Sequence, residues 1–322
     1  VIALPVVFSA ASAEIFARGA IRLLCSLPGF DCLSFGAEHA DGDFYAAAEI
    51  LNDERAYIEK TKEFLSRGFS FAAARAESLK DTAAFPLLSS PNDILGLEYA
   101  RALLKENRKK NVTLLPVRRL GDYKKQTLAT NGAAEYSSAS SIRLAMKKGD
   151  FAAISSELPA CVSADIQSAG IAAENLKTAE RIAVLKTRKN ELALTADISE
   201  GLENALKRAA RQPEDIVTQL TSKRYTASRI NRILLQNLLD IRKDLLADCL
   251  SAPLYVQPLA IGKERKDLLS VLSEGEFPCV MRYADEQKLT GTARRCFQAD
   301  KLAENIYSAV TGFYGGTKNV FY

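Results

Sequence analysis

Strand, helix and strand signals follow one another within the first 36 residues, and this order restricts the chain more than any other feature of its sequence. Residues 1–8 (VIALPVVF) form an unbroken apolar run of the kind that makes a fully buried strand. Residues 12–27 place Phe16, Ala20, Leu23, Leu24 and Leu27 at helical spacing, and residues 31–36 (DCLSFG) read as a short strand ending in glycine. A strand, a crossover helix and a second strand predict a parallel sheet, so the fold class expected is α/β. Helices are expected over 46–67, 70–79 and 91–106, a further strand over 112–118, and a short helix over 141–148 stopped by Gly149. Beyond Gly149 the strand signals fade. Amphipathic stretches at 173–186, 198–210, 213–220, 226–249 and 300–308 predict a mainly helical second half, with one weak strand over 254–261. A boundary near residue 150 divides the chain into domains 1–150 and 151–322.

The chain has 322 residues, twice the size of a common single domain, with 48% hydrophobic and 25% charged residues, an ordinary globular balance. No apolar run reaches the roughly 18 to 20 residues that span a bilayer, so no membrane role is expected. Six scattered cysteines without a C-x-x-C pair argue against zinc and disulfide frameworks and fit a reducing, cytoplasmic setting. The single histidine, His39, excludes mechanisms that need two within this chain, and a lone loop histidine is expected to be solvated. Residue 1 is Val, and the run that it opens reads as a strand already under way, without the basic lead-in of a signal peptide. The expectation is a truncated, processed or partial product.

Three constellations could carry chemistry. In residues 90–99 (SPNDILGLEY), a capping serine, a proline at the first helical position and an acid in the first turn place Asn92 beside unpaired backbone N–H groups. Such an end favours an anion, and an asparagine there can read a base or a ribose; the same pattern is also that of a simply well-capped helix. Residues 137–143 (SSASSIR) crowd hydroxyls into a loop opening a helix that carries Arg143. These groups hold a triphosphate and its departing pyrophosphate, and they equally describe a serine-rich cap. Arg118 and Arg119 end the strand over 112–118. Ligands of open α/β sheets sit beyond the carboxyl ends of strands, so these arginines, the Gly36 turn and Asn92 could converge on one crevice. The third constellation, residues 223–232 (KRYTASRINR), has four bases, a tyrosine and no acid. With Ile230, Ile233 and Leu234 on an inner face and Arg224, Ser228 and Arg232 outside, it suits a phosphate backbone and a stacked base, or merely a solvated helix face. Lys186, Arg188 and Lys189 add a second basic spot.

Taken in order, VIALPVVFSAASAEIFARGA, LSFGAE, SPNDILGLEY, VRRL, SASSIR, SEGLENALK, TSKRYTASRINRILL and YVQPLAIGKERKDLL resemble one family over nearly the whole chain, the bacterial tRNA(Met) cytidine acetate ligases. The resemblance implies a Rossmann-like, HUP-type nucleotidyltransferase domain, incomplete at its N-terminus, followed by a mainly α-helical tRNA-binding domain. It implies an ATP-dependent, adenylate-forming enzyme, with Mg²⁺ accompanying ATP, that acetylates the wobble cytidine of elongator tRNA(Met) with acetate; no partner protein is implied. Carried across by position, Gly36, Asn92, Arg118 and Arg119 match ATP-contacting positions, and Ser138, Ser140 and Arg143 match the serine-rich phosphate loop. Lys223, Arg224, Arg229 and Arg232 would hold the tRNA. No catalytic residue and no metal ligand is assigned.

The departures are specific. The family opens with a strand and a glycine-containing loop with two histidines that grips the phosphates, and this segment is expected to precede Val1, leaving the chain alone nearly inactive. Tyr123-Lys124-Lys125 stand where Tyr-His-Asp is usual, and Ala205 where an arginine is common. Two other readings remain open: a non-catalytic RNA-binding homologue, and a nucleotidyltransferase acting on a small molecule.

Overall fold

In the computed structural model, the residues described are all except 54, 56, 70, 107–111, 121–127, 129–136, 170–172, 200, 223, 315–319 and 322. The sheet of the first half is a parallel pair, β1 (Cys32–Ala37) and β2 (Thr113–Arg118), in register from Cys32 opposite Thr113 to Ala37 opposite Arg118. The helix Pro91–Lys105 crosses between them in sequence and packs against β1. Alternation along the strands sorts the two faces. Leu33, Phe35, Ala37, Leu114 and Pro116 turn inward, whereas Cys32, Ser34, Gly36, Leu115 and Val117 turn outward.

The helix Pro91–Lys105 is the centre of this half. The helices Ala13–Cys25 and Phe44–Asn52 both pack on it, and its Gly96, Leu97, Ala100, Ala102 and Leu103 are buried. Gly96 is required by close approach: a Cβ there would lie 2.2 Å from Cε2 of Phe35 and 2.8 Å from Cε1 of Phe44. The bare backbone lets Phe35 and Phe44 meet edge to face, with ring centroids 5.0 Å apart, directly on the helix. The same helix carries a buried ion pair, Glu98 Oε2 to Arg101 Nη1 at 2.7 Å, and Arg101 Nε also donates to Oδ1 of Asn52 at 3.2 Å.

Residues 1–8 are not a strand. Ile2 makes a single antiparallel bridge to Pro258, and Val6–Ser9 is a helical turn. Pro5 removes a ladder donor and starts that turn, while the N–H of Val6 donates to Oδ1 of Asp300 at 2.6 Å instead of to a neighbouring strand. The parallel partner of β1 is therefore β2. Val7, Phe8, Ala10 and Leu23 share one core cluster with Leu245, Tyr255, Val256, Cys296 and Phe297 from the far end of the chain.

After Gly149 the described chain is mainly helical. The helix Ala173–Lys186 forms as expected, but the stretch 226–249 divides into Ala227–Leu238 and Lys243–Cys249. Asp240 between them takes a left-handed φ of 52°, which ends the first helix and re-aims the chain. The stretch 46–67 likewise divides, into Phe44–Asn52 and Ile58–Ser66. The weak strand over 254–261 shrinks to Ala260–Ile261, paired parallel with Val320–Phe321. Val184, Leu192, Leu202, Leu206, Ile230 and Ile233 belong to a separate core cluster of this half.

Asp300 joins the two ends of the chain, since it accepts from Val6 through Oδ1 and from the Tyr255 hydroxyl through Oδ2. Burial outweighs both hydrogen bonds and pushes its carboxyl up to about 6. A carboxyl whose value is raised on folding contributes stability that is present below its unfolded value and lost as pH rises through the folded one. The stability difference between the wild type and Asp300→Asn should therefore shrink from pH 4 to pH 7, a trend that urea unfolding across this range measures; a constant difference would contradict the assignment.

Candidate functional site

The carboxyl ends of β1 and β2 carry three of the residues singled out in the sequence, Gly36, Arg118 and Arg119. The N–H of Arg119 donates to the carbonyl of Ala37 at 2.9 Å, which extends the parallel ladder past the strand end and brings Arg119 beside Gly36. A Cβ on Gly36 would sit 3.5 Å from Cγ of Arg119, so the missing side chain leaves the stem of that arginine uncovered. Arg119 is exposed, with no acidic partner among the described residues. Arg118, also exposed, has its Nη2 3.5 Å from Oδ1 of Asp41. Such an exposed pair is worth at most about 1 kcal/mol, so an anionic ligand could draw Arg118 away from Asp41.

Asn92 reaches the same end from the helix Pro91–Lys105. Its Nδ2 donates to Oε1 of Glu38 at 2.8 Å, just past the end of β1. The neighbouring Asp93 is fully buried. Its Oδ1 accepts from the N–H groups of Glu38 at 2.8 Å and His39 at 3.1 Å, and its Oδ2 lies 2.7 Å from Nδ1 of His39. These bonds satisfy a carboxylate that the helix N-terminus also favours. Ser90, expected to cap this helix, makes no side-chain cap bond.

His39 was expected to be a solvated loop residue. Its side chain remains 46% exposed, yet Asp93 grips its ring. Glu38, His39 and Asp93 thus frame the candidate site through contacts that the local sequence pattern did not reveal. The available signal was an acid next to Asn92 together with a histidine three residues beyond Gly36; what joins them is a contact across 54 residues of chain.

The serine-rich segment forms a helix that begins at Ala139, two residues earlier than expected, so Arg143 lies in its second turn. Ser138 is buried and caps the helix by accepting from the N–H of Ser141 at 3.0 Å, while Ser140 and Arg143 are exposed. The helix packs on its neighbour Phe151–Ser155. Residues 121–127 and 129–136, which link it to β2, are outside the described residues, as are Tyr123, Lys124 and Lys125.

In the helical half, Lys223 lies outside the described residues. Arg224 is exposed and precedes the helix Ala227–Leu238 rather than lying on it, so it does not align with Ser228 and Arg232 on a helical face. Arg224 and Arg229 lie 5.7 and 5.5 Å from the ring centroid of Tyr225. Arg229 and Arg232 are already engaged. Arg229 Nη2 donates to the Ser199 hydroxyl at 2.6 Å and to the Asp197 carbonyl at 3.1 Å, and Arg232 Nε pairs with Oδ2 of Asp197 at 2.8 Å.

A cavity of about 220 Å³ between the helix Ala173–Lys186 and residues 213–217 contrasts with the strand ends. Its wall includes Glu174, Glu180 and Asp215, and burial pushes Glu180 up to about 7, with Asp215 adding to the effect. Lys177 is paired with Asp215 at 3.3 Å, and Arg181 donates to the carbonyls of Ala210, Gln212 and Glu214. Three acids with both bases committed do not suit a polyphosphate.

Residues 1–318 match the family model described as HIGH Nucleotidyl Transferase. A tRNA(Met) cytidine acetate ligase of Thermoanaerobacter sp. is 32% identical over 96% of this chain and 79% of its own length, and one from Mycoplasma mobile is 37% identical over 74% and 77%. The crystal structure of apo Thermotoga maritima TmcAL superposes with a TM-score of 0.88 at 24% identity, covering 99% of this chain and 84% of that one. A second crystal form, bound with alpha-thio ATP, gives a TM-score of 0.86 at the same identity. These two likenesses establish a shared fold. The chain belongs to the HIGH nucleotidyl transferase family and, within it, to the tRNA(Met) cytidine acetate ligases.

Proposed function

We propose that the protein is an ATP-dependent ligase that activates acetate as acetyl-adenylate and transfers the acetyl group to the exocyclic amine of the wobble cytidine in elongator tRNA(Met). The observation that carries this reading is the convergence of Gly36, Asn92, Arg118 and Arg119 at the carboxyl ends of two parallel strands, in a chain of this family. Curated relatives bear the name of this activity, and one structural neighbour holds an ATP analogue.

The chemistry asks little of acids and bases. An acetate oxygen attacks the α-phosphorus and pyrophosphate leaves; the cytidine amine then attacks the acyl carbon, loses a proton, and AMP leaves. The first step needs alignment and stabilisation of charge on the departing pyrophosphate. Arg119 suits that task because no acidic partner among the described residues competes for it, and Arg118 because its hold on Asp41 is weak. Ser138, Ser140 and Arg143 are proposed to complete the phosphate contacts, and Mg²⁺ to arrive on ATP and spread its charge. In the full-length protein, replacing Arg119 by Ala should lower acetate- and ATP-dependent acetylation of tRNA(Met) by roughly a hundredfold, the usual effect of losing one group that stabilises transition-state charge, with unchanged thermal stability. An unaffected rate would remove Arg119 from the site. Release of AMP that does not depend on tRNA would contradict the acceptor assignment.

Lys223, Arg224, Arg229 and Arg232 are proposed to face the tRNA, with unequal parts. Arg232 is offset by Asp197, and Arg229 braces residues 197–199, so both chiefly shape the surface. Arg224 carries its charge above Tyr225, where a phosphate and a base could be met together. Arg224→Ala should reduce the slope of log affinity against log salt for tRNA by about 1, whereas Arg232→Ala should leave the slope nearly unchanged and lower the melting temperature. Filter binding at several salt concentrations separates the two.

A further inference from the structure

The hydrogen bond between Glu38 and Asn92 has a consequence for what the crevice can select. Glu38 Oε1 can only accept from an amide, so the bond from Nδ2 fixes which way the Asn92 side chain faces. The other end of the amide, Oδ1, then has no partner among the described residues and is not sealed off, because it is not among the buried polar atoms that lack one. Glu38 is itself held from behind, since Asp93 takes both its N–H and that of His39. Its second oxygen, Oε2, is buried without a donor, a standing cost for a carboxylate. Together the clasp commits the NH₂ end of the amide to Glu38 and leaves Oδ1 as the end open to a ligand at the carboxyl end of β1.

We infer that Glu38 is a positioning residue that orients Asn92 as a hydrogen-bond acceptor, and that the crevice thereby selects a nucleotide carrying a donor group at this point. The inference rests on the reading that ATP binds between Gly36, Asn92 and Arg119. Two groups of ATP supply such a donor, the 6-amino group of adenine and the ribose hydroxyls. Without Glu38 the amide is free to flip, and its NH₂ end can then serve an acceptor such as the 6-oxo group of inosine. The discrimination is lost while Arg118 and Arg119 still hold the phosphates.

Equilibrium binding of ATP, inosine triphosphate, 2′-deoxy-ATP and 3′-deoxy-ATP to the protein and to Glu38→Leu tests this. The wild type should hold ATP about tenfold more tightly than whichever analogue lacks the selected donor, the value of one good hydrogen bond. Inosine triphosphate as the weak ligand identifies the amine; a weak deoxy analogue identifies the hydroxyl. In Glu38→Leu the ratio should fall to within about threefold, chiefly through weaker ATP binding. The ratio is read on folded protein, so a general loss of stability does not imitate the effect. Equal affinity of the wild type for all four nucleotides overturns the inference whatever the variant does, as does a Glu38→Leu protein that keeps the full ratio. Failure of the wild type to bind any of them refutes the nucleotide reading beneath it.

Discussion

One buried carboxylate organises the crevice. Asp93 stands in the first turn of the helix Pro91–Lys105 and takes three hydrogen bonds from the residues just beyond β1, two from backbone and one from the ring of His39. Were those bonds absent, an ionised group with no exposed surface would face a desolvation cost of several kcal/mol. The strand end and the helix start are consequently held as one unit. Asn92, the preceding residue, inherits its position from that unit, and Gly96 one turn later lets Phe35 and Phe44 lock the same helix to the sheet. The candidate site is thus built on a strand end and a helix tied to each other, a suitable foundation for chemistry that depends on alignment more than on proton transfer.

Much of this half was legible from local signals. Pro91 marked a helix start, the apolar runs ending at Gly36 and Arg118 marked strands, and the strand, helix, strand order implied parallel pairing, although its expected first strand over residues 1–8 does not form and β1 pairs with β2 instead. The convergence of Gly36, Asn92, Arg118 and Arg119 followed from that order, because parallel strands put their carboxyl ends on one side. What escaped was decided by distant partners. Residues 1–8 have the composition of a strand, but Pro5 and the bond from Val6 to Asp300 make a helical turn of their second half. His39 looked solvated because nothing near it in sequence reveals Asp93. The apolar period through 226–249 is continuous, and only the left-handed Asp240 shows that two helices share it.

The basic segment of the second half shows the same limit in electrostatic form. Counted along the chain, it is a strip of positive charge. In three dimensions Asp197 neutralises Arg232, and Ser199 occupies Arg229, so the outward field there is smaller than the residue count implies. Tyr225, packed at the edge of the core cluster with arginines 224 and 229 near its ring, is the more distinctive feature. Composition identified a surface suited to nucleic acid; pairing decides which of its charges remain available.

The central claim is that the strand-end crevice, and not the acid-lined cavity around Glu180, receives ATP. A crystal structure of the protein with a non-hydrolysable ATP analogue tests it most directly. The account predicts nucleotide density between Gly36 and Asn92, with the phosphates against the Arg119 guanidinium. Density in the cavity bounded by Glu174, Glu180 and Asp215, or an ordered nucleotide that leaves Asn92 and Arg119 untouched, would contradict it.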